Sequence, residues 1–170
     1  MESLPKLPPK LPLSENLLIA IGTFVARFSL LELQIHYLVW NLLAPNQQGI
    51  GRLITNAIGF AELLRMLGSL FKYSTPDKKL QKRMNKLVDK LHKAGLARND
   101  VLHSFWQNRP GLEEALVIRM QSKPKGFREE LLDYDTEALF AKAEDFTSLT
   151  REVQELHVAI LSSSRRLQTD

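Results

Sequence analysis

The 170-residue sequence contains no cysteine. Disulfide bonds and thiolate-bound zinc are therefore excluded, and the absence favours a reducing compartment. Glycine-rich phosphate loops, zinc-binding helices and a Ser-His-Asp arrangement are not recognisable either. Glu32 and His36 stand four residues apart, as two metal ligands on one helix would, but no third ligand accompanies them. We therefore expect neither a metal ion nor another cofactor.

Long uncharged runs are also missing. The longest lies between Glu15 and Arg27 and is shorter than the roughly 20 apolar residues that a membrane-spanning helix needs. Four of the eight prolines fall within the first twelve residues, where no signal-peptide pattern occurs. We expect an extended, proline-rich arm over residues 1–13, a tail over residues 167–170, and a cytoplasmic protein that does not enter a membrane.

Apolar residues at helical spacing occupy much of the remaining chain, which is 44% hydrophobic. The pattern predicts a first helix over residues 15–43 with Ser14 as its N-cap. A polar, glycine-containing loop over residues 47–51 is expected to follow. A second helical region is predicted over residues 52–72, with an interruption near Gly59.

The second half of the chain predicts two further helices and a small β element. The third helix has Thr75 as its expected N-cap, and the last helix, with apolar residues every seven positions, ends near residue 166. Between them, Ala115–Ile118 resembles a strand with turn-forming residues on both sides. We predict one domain over residues 14–166. Its fold is an all-α, up-and-down bundle of four to five helices, with a small β-hairpin or ordered loop inserted before the last helix.

One charged residue interrupts the apolar stripe of the third helix. Arg98 stands seven residues after Leu91 and four before Leu102, where a core residue would be expected. Because an unpaired buried guanidinium is strongly unfavourable, Arg98 implies a carboxylate partner or a solvated cleft. Glu32 is the matching charged residue at a core position of the first helix. We predict that the two form an ion pair or share a polar site.

The residues that follow Arg98 are suited to act with it. Asn99 and His103 are four apart and would share one helix face, and Asp100 could orient the imidazole of His103. Arg98 and His103 are five apart, which separates them by roughly 140° on an ideal helix. One helix would struggle to aim both at one atom, so we expect two copies of the segment to face each other in a homodimer. A distorted turn near Gly95 would also relieve the conflict.

The segment Arg98-Asn99-Asp100-Val101-Leu102-His103 resembles the R-x(4–6)-H motif of the HEPN superfamily, in which a polar residue commonly follows the arginine. The long first helix and Trp106, shortly after the motif, agree with this resemblance, whereas Ser104 replaces the glycine that many relatives have. The resemblance implies a compact, frequently dimeric helical bundle whose paired motifs form a metal-independent ribonuclease site. Some members are toxins in toxin–antitoxin or phage-defence systems, so an antitoxin protein is a further implied partner.

These residue types suit RNA cleavage, because RNA carries its own nucleophile, the 2′-hydroxyl group. His103 could remove the hydroxyl proton or protonate the departing 5′-oxygen, and Arg98 could hold the scissile phosphate. Asn99 could donate to the phosphate or fix His103. The net charge of +4 is compatible with RNA as a partner. Lysines that precede the motif could guide the RNA backbone towards it: Lys82, Lys86, Lys90 and Lys93.

Two other interpretations of the same residues stay open. In the first, the chain is a non-catalytic dimeric bundle that binds RNA, a nucleotide or a partner protein at the Arg98 cluster. In the second, Arg98 belongs to a structural ion pair and His103 only caps the end of a helix.

Overall fold

The structure, a computed structural model, describes residues 13–45, 47–108, 115–123 and 126–166. The predicted arm, apart from Leu13, and the predicted tail lie outside these residues. The elements in chain order are α1 (Glu15–Leu43), α2 (Gln48–Thr55), α3 (Phe60–Ser74), α4 (Lys78–Leu102), β1 (Phe105–Asn108), β2 (Ala115–Lys123), β3 (Gly126–Tyr134) and α5 (Thr136–Arg166). The predicted all-α bundle with a β insertion before the last helix is confirmed.

Helix α1 is the central element of the bundle and packs most extensively against α5. It begins where predicted, because Ser14 Oγ accepts a hydrogen bond of 3.3 Å from the backbone N–H of Leu17. One face of α1 is buried at three- and four-residue intervals, and α5 buries the seven-residue repeat that its sequence predicts. The buried residues of α5 are Leu139, Ala143, Phe146, Leu149, Val153, Leu156 and Ile160.

Helix α1 is also long and apolar enough to cross a membrane, with a mean hydropathy of 1.6 over an 18-residue stretch. The expectation that no segment has this property is therefore wrong, because Arg27 and Glu32 interrupt the apolar run too sparsely to lower its hydropathy. In this fold the apolar composition of α1 has a structural use, since one side of the helix supplies much of the bundle core.

Helix α2 occupies part of the chain that the sequence assigns to a loop, so the predicted loop over residues 47–51 is wrong from Gln48 onward. The reason is tertiary packing on Trp40. Its buried indole N–H donates to Thr55 Oγ1 at 2.8 Å. Gly51 lies so close that a Cβ atom there would stand 2.7 Å from the Trp40 ring. The predicted interruption at Gly59 is confirmed, since Gly59 is the residue before α3.

Helix α4 begins two residues later than the Thr75 cap predicts. Asp77 is the N-cap, and its Oδ1 atom accepts from the backbone N–H groups of Lys79 at 2.7 Å and Leu80 at 3.2 Å. A carboxylate that accepts two N–H groups at the positive end of a helix is the stronger cap. Thr75 is instead buried, and its carbonyl accepts from the side chain of Gln81.

The β insertion is a three-stranded antiparallel sheet in the order β1-β2-β3. Trp106 in β1 pairs with Val117 in β2, which pairs in turn with Leu132 in β3. The predicted hairpin corresponds to β2 and β3, and β1 adds a third strand that the sequence pattern did not predict. Because β1 begins three residues after α4 ends, the sheet continues directly from the end of that helix.

Two histidines are partly buried in the bundle: His157 of α5, which contacts Asn41 of α1, and His36 of α1, which lies beside the Trp40 ring. Asn41 Nδ2 donates to His157 Nε2 at 2.7 Å, and Gln48 Nε2 donates to Asn41 Oδ1 at 3.3 Å, so one polar chain connects the three helices. Burial lowers the pKa of His157 from 6.5. Burial also lowers the pKa of His36, an effect that the nearby Glu32 carboxylate partly offsets.

We predict that the free energy of unfolding decreases as the pH is lowered from 7.5 to 5.5. Because both histidines have lowered pKa values in the fold, the unfolded chain binds protons near pH 6.5 that the folded chain does not. Urea unfolding at several pH values measures this dependence. His157→Gln should reduce its slope, and the contribution of His36 should remain. Stability that stays constant or rises over this interval would refute the prediction.

Candidate functional site

The C-terminal end of α4 is capped by residues that follow it. The backbone N–H of His103 donates to the Asn99 carbonyl at 3.0 Å, and Ser104 Oγ donates to the Asp100 carbonyl at 2.5 Å. The indole N–H of Trp106 donates to the Val101 carbonyl at 2.9 Å, while the Trp106 ring packs against the core. Three carbonyl groups that the helix cannot satisfy internally thus receive partners.

Arg98 and His103 meet within a single chain. Arg98 Nη1 lies 3.4 Å from His103 Nε2, and the same nitrogen donates to Asn99 Oδ1 at 3.1 Å. His103 is the C-cap residue, with φ −108° and ψ 16°, so its side chain no longer follows the helical spacing. The expected difficulty of aiming both groups at one atom from a single helix is therefore not met in this chain. The distortion that resolves the conflict lies at His103 and not near Gly95.

Asn99 connects these two groups. Its side-chain oxygen accepts from Arg98, and its backbone carbonyl accepts from the N–H of His103. The two roles predicted for it, donation to phosphate or fixation of His103, differ from this arrangement, in which the Asn99 side chain orients the guanidinium. The backbone carbonyl of Asp100 accepts a hydrogen bond from Ser104 Oγ.

The Arg98 side chain is partly buried against the aromatic core. Its guanidinium carbon lies 5.7 Å from the centroid of the Phe28 ring, within cation–π distance. The described hydrogen bonds of the guanidinium use Nη1 alone, and the buried Nε has no hydrogen-bond partner among the described residues. Since a guanidinium carries five N–H donors, Arg98 keeps capacity to bind an oxyanion.

Glu32 does not pair with Arg98. Among the residues that the structure describes, Glu32 takes part in no ion pair. Its carboxylate acts electrostatically on His36, one turn further along α1, and the predicted ion pair is therefore wrong. The Arg98 side chain instead lies over Phe28, which is one turn before Glu32 in α1. The aromatic ring contacts the guanidinium, whereas a carboxylate was expected to neutralise it.

A cleft of about 500 Å³ opens beside Arg98 and Asn99. Helix α4 forms one wall, α3 forms the other, and Phe28 of α1 contributes to the lining. His92 also lines the cleft, although as a single histidine it drew no functional prediction. Its spacing could have identified it as a site residue, because His92 and Asn99 are seven residues apart and share a face of α4.

The candidate RNA-binding lysines do not lie on the Arg98 side of α4. Lys82, Lys86 and Lys93 are exposed, and on an ideal helix they point about 120–160° away from Arg98. Lys90 is paired with Glu152 of α5 at 2.6 Å. Lys90 and Lys93 line a separate groove of about 360 Å³ between α4 and α5. The structure thus does not bring the lysines and Arg98 to one face.

No protein-family model, curated protein or solved structure matches this chain. Within the described residues, no three histidine, aspartate or glutamate side chains cluster as metal ligands would.

We predict that Glu32→Gln changes the free energy of unfolding by less than about 1 kcal/mol, in the range of a weak surface charge interaction. If Glu32 neutralised a buried Arg98, the same substitution would cost on the order of 3–5 kcal/mol. Urea unfolding of the two proteins at pH 7.5 distinguishes the two values. A loss in the larger range would show that the carboxylate stabilises Arg98 after all.

Proposed function

We propose that this chain is a metal-independent endoribonuclease of the HEPN type. The observation that carries the proposal is the contact between Arg98 Nη1 and His103 Nε2 at 3.4 Å, at the capped end of α4. A guanidinium and an imidazole at this distance can act on the same phosphodiester group. RNA supplies the nucleophile, so the reaction requires no metal ion.

Arg98 binds the scissile phosphate. Asn99 and His103 occupy its Nη1 edge, and the N–H groups of Nη2 can donate to the phosphate oxygens. Negative charge on these oxygens increases when the 2′-oxygen attacks phosphorus, and a fixed cation favours this transition state over the ground state. Phe28 and Asn99 hold the guanidinium in place before the substrate arrives.

His103 transfers protons. In the free protein the lone pair of Nε2 accepts from Arg98. When a bound phosphate takes over the Arg98 donor, Nε2 is released and can act as a general base. It accepts the proton of the 2′-hydroxyl while the 2′-oxygen bonds to phosphorus and the 5′-oxygen leaves. A second imidazole, from the His103 of another copy of the chain, protonates the 5′-oxygen. The products are a 2′,3′-cyclic phosphate and a 5′-hydroxyl group.

The second imidazole is the reason to propose a homodimer. Apolar side chains are exposed close to the motif, namely those of Leu96, Leu102 and Phe105. Exposed apolar side chains around a polar site are suited to an interface between copies. We place the dimer in the cytoplasm and include a separate antitoxin protein among its proposed partners.

Binding without cleavage is the second candidate function. The specific observation in its favour is that, among the described residues, His103 is the one histidine in hydrogen-bond contact with Arg98. A monomer of this chain would thus offer one proton-transfer group where the reaction needs two. Such a protein would bind RNA, a nucleotide or a partner protein at Arg98 and leave RNA intact.

We predict that the purified protein cleaves RNA in the presence of EDTA, and that Arg98→Ala and His103→Ala each reduce the rate by about 10²–10⁴-fold. The measurement is the initial rate on a mixed-sequence RNA, with melting temperatures recorded in parallel. Arg151→Ala, which removes an exposed arginine of α5, is the matched control and should retain full activity.

Retention of activity by both Arg98→Ala and His103→Ala would overturn the proposal, as would cleavage that EDTA abolishes. Intact RNA together with binding that Arg98→Ala abolishes would identify the non-catalytic alternative. A lowered melting temperature of His103→Ala, with neither binding nor cleavage by the unmodified protein, would indicate a capping role alone.

A further inference from the structure

The cleft beside Arg98 has a rigid aromatic wall. The Phe60 and Phe28 ring centroids are 4.9 Å apart, with an angle of 55° between the ring planes. The Cδ1–Cε1 edge of the Phe60 ring lies against Gly95 of α4, where a Cβ atom would stand 2.7 Å from the ring. Phe60 is therefore fixed by α1 and α4 together, while it still lines an open cleft of about 500 Å³. This volume lies within the roughly 300–1,000 Å³ of small-molecule sites.

Polar groups stand at the edges of this wall. His92 and Asn99 contribute from α4, and Glu62 contributes from α3. Arg65 donates to both carboxylate oxygens of Glu62, and this hydrogen bonding lowers the pKa of the Glu62 carboxyl. Aromatic walls with donors and acceptors at their edges match a nucleobase, which has two apolar faces and a polar rim.

Arg98 determines where the phosphate group of a nucleotide would bind. It is positive, lines the cleft and attracts a phosphate, whereas the Glu62 carboxylate is already paired with Arg65. A phosphate at Arg98 would leave the attached base free to enter the cleft towards Phe60. The Glu62 carboxylate could then accept hydrogen bonds from amino or imino groups of the base.

We propose that this cleft is a nucleobase subsite, in which the base adjacent to the scissile phosphate stacks on Phe60. The inference rests on the proposed function for its phosphate, which Arg98 binds. It adds the substrate class: the site favours single-stranded RNA, because a paired base must first unpair and unstack before it can enter the cleft.

The probes are the 5′-monophosphates of adenosine, guanosine, cytidine and uridine, with ribose 5-phosphate as the base-free control. Titrations of the full chain are followed by amide chemical shifts in NMR spectra. At least one nucleotide should bind roughly tenfold more tightly than ribose 5-phosphate, the effect expected of stacking on an aromatic side chain. Shifts should concentrate at residues 59–62 and 92–99, which form the two walls of the cleft.

Phe60→Leu should remove this preference for nucleotides over ribose 5-phosphate. Phe140→Leu, at an exposed phenylalanine of α5, should keep it and serves as the matched control. If Phe60→Leu does not fold, Phe60→Met replaces it, because methionine fills a similar volume without an aromatic face. This variant should also lose the preference over ribose 5-phosphate.

Equal affinity for ribose 5-phosphate and all four nucleotides would overturn the inference, as would shifts located elsewhere or a preference that Phe60→Leu retains. The inference and the proposed function can fail separately. Nucleotide preference without RNA cleavage would support the nucleobase subsite and refute the ribonuclease activity. His103-dependent cleavage without nucleotide preference would support the ribonuclease activity and refute the subsite.

Discussion

The end of α4 has more carbonyl groups than its own helix can satisfy, and the site depends on how the chain satisfies them. The backbone of His103, the hydroxyl of Ser104 and the indole of Trp106 each donate to one carbonyl. These bonds end the helix at Leu102 and turn the chain into β1. The turn at His103 brings its imidazole to Arg98, so the capping that stabilises the helix also assembles the proposed catalytic pair.

Phe28 joins this pair to the hydrophobic core. Its ring is 2% exposed, packs against Phe146 of α5 and Phe60 of α3, and lies beneath the guanidinium of Arg98. The guanidinium of Arg98 thus packs against an aromatic ring at the edge of the bundle. An oxyanion that binds there meets a partly desolvated positive charge, which interacts more strongly than a fully hydrated one. The aromatic cluster of the core and the proposed base subsite share Phe28 and Phe60.

The sequence predicted those parts of the fold that depend on local pattern. The two ends of α1 follow from Ser14 before the helix and from Pro45 shortly after it. The buried repeat of α5 follows from its apolar residues at fixed intervals. Helix α2 could not be predicted in this way, since its polar, glycine-containing sequence is held by contacts of Trp40 with Gly51 and Thr55. Such contacts join residues that no short-range pattern relates.

The sequence suggested Arg98 and His103 as candidate site residues, but it did not predict how they are arranged. The position of Arg98 on an apolar stripe marked it as unusual, but a stripe does not reveal which group supports the charge. The guanidinium contacts the aromatic ring of Phe28, whereas Glu32 was expected to be its partner. Helical spacing placed Arg98 and His103 on different faces because it assumes that the helix continues through His103. The side-chain bonds of Ser104 and Trp106, which end it, have no signature in spacing.

The most direct test of the account is the chemistry of the ends that the protein leaves on RNA. A synthetic RNA is incubated with the protein in EDTA, and the fragments are analysed by mass spectrometry. Convergence of Arg98 and His103 on one phosphodiester predicts a 2′,3′-cyclic phosphate on one fragment and a 5′-hydroxyl on the other. It also predicts that a single 2′-deoxynucleotide at the cut position prevents cleavage there. Fragments with 3′-hydroxyl and 5′-phosphate ends, or cleavage that continues after the 2′-hydroxyl is removed, would contradict it.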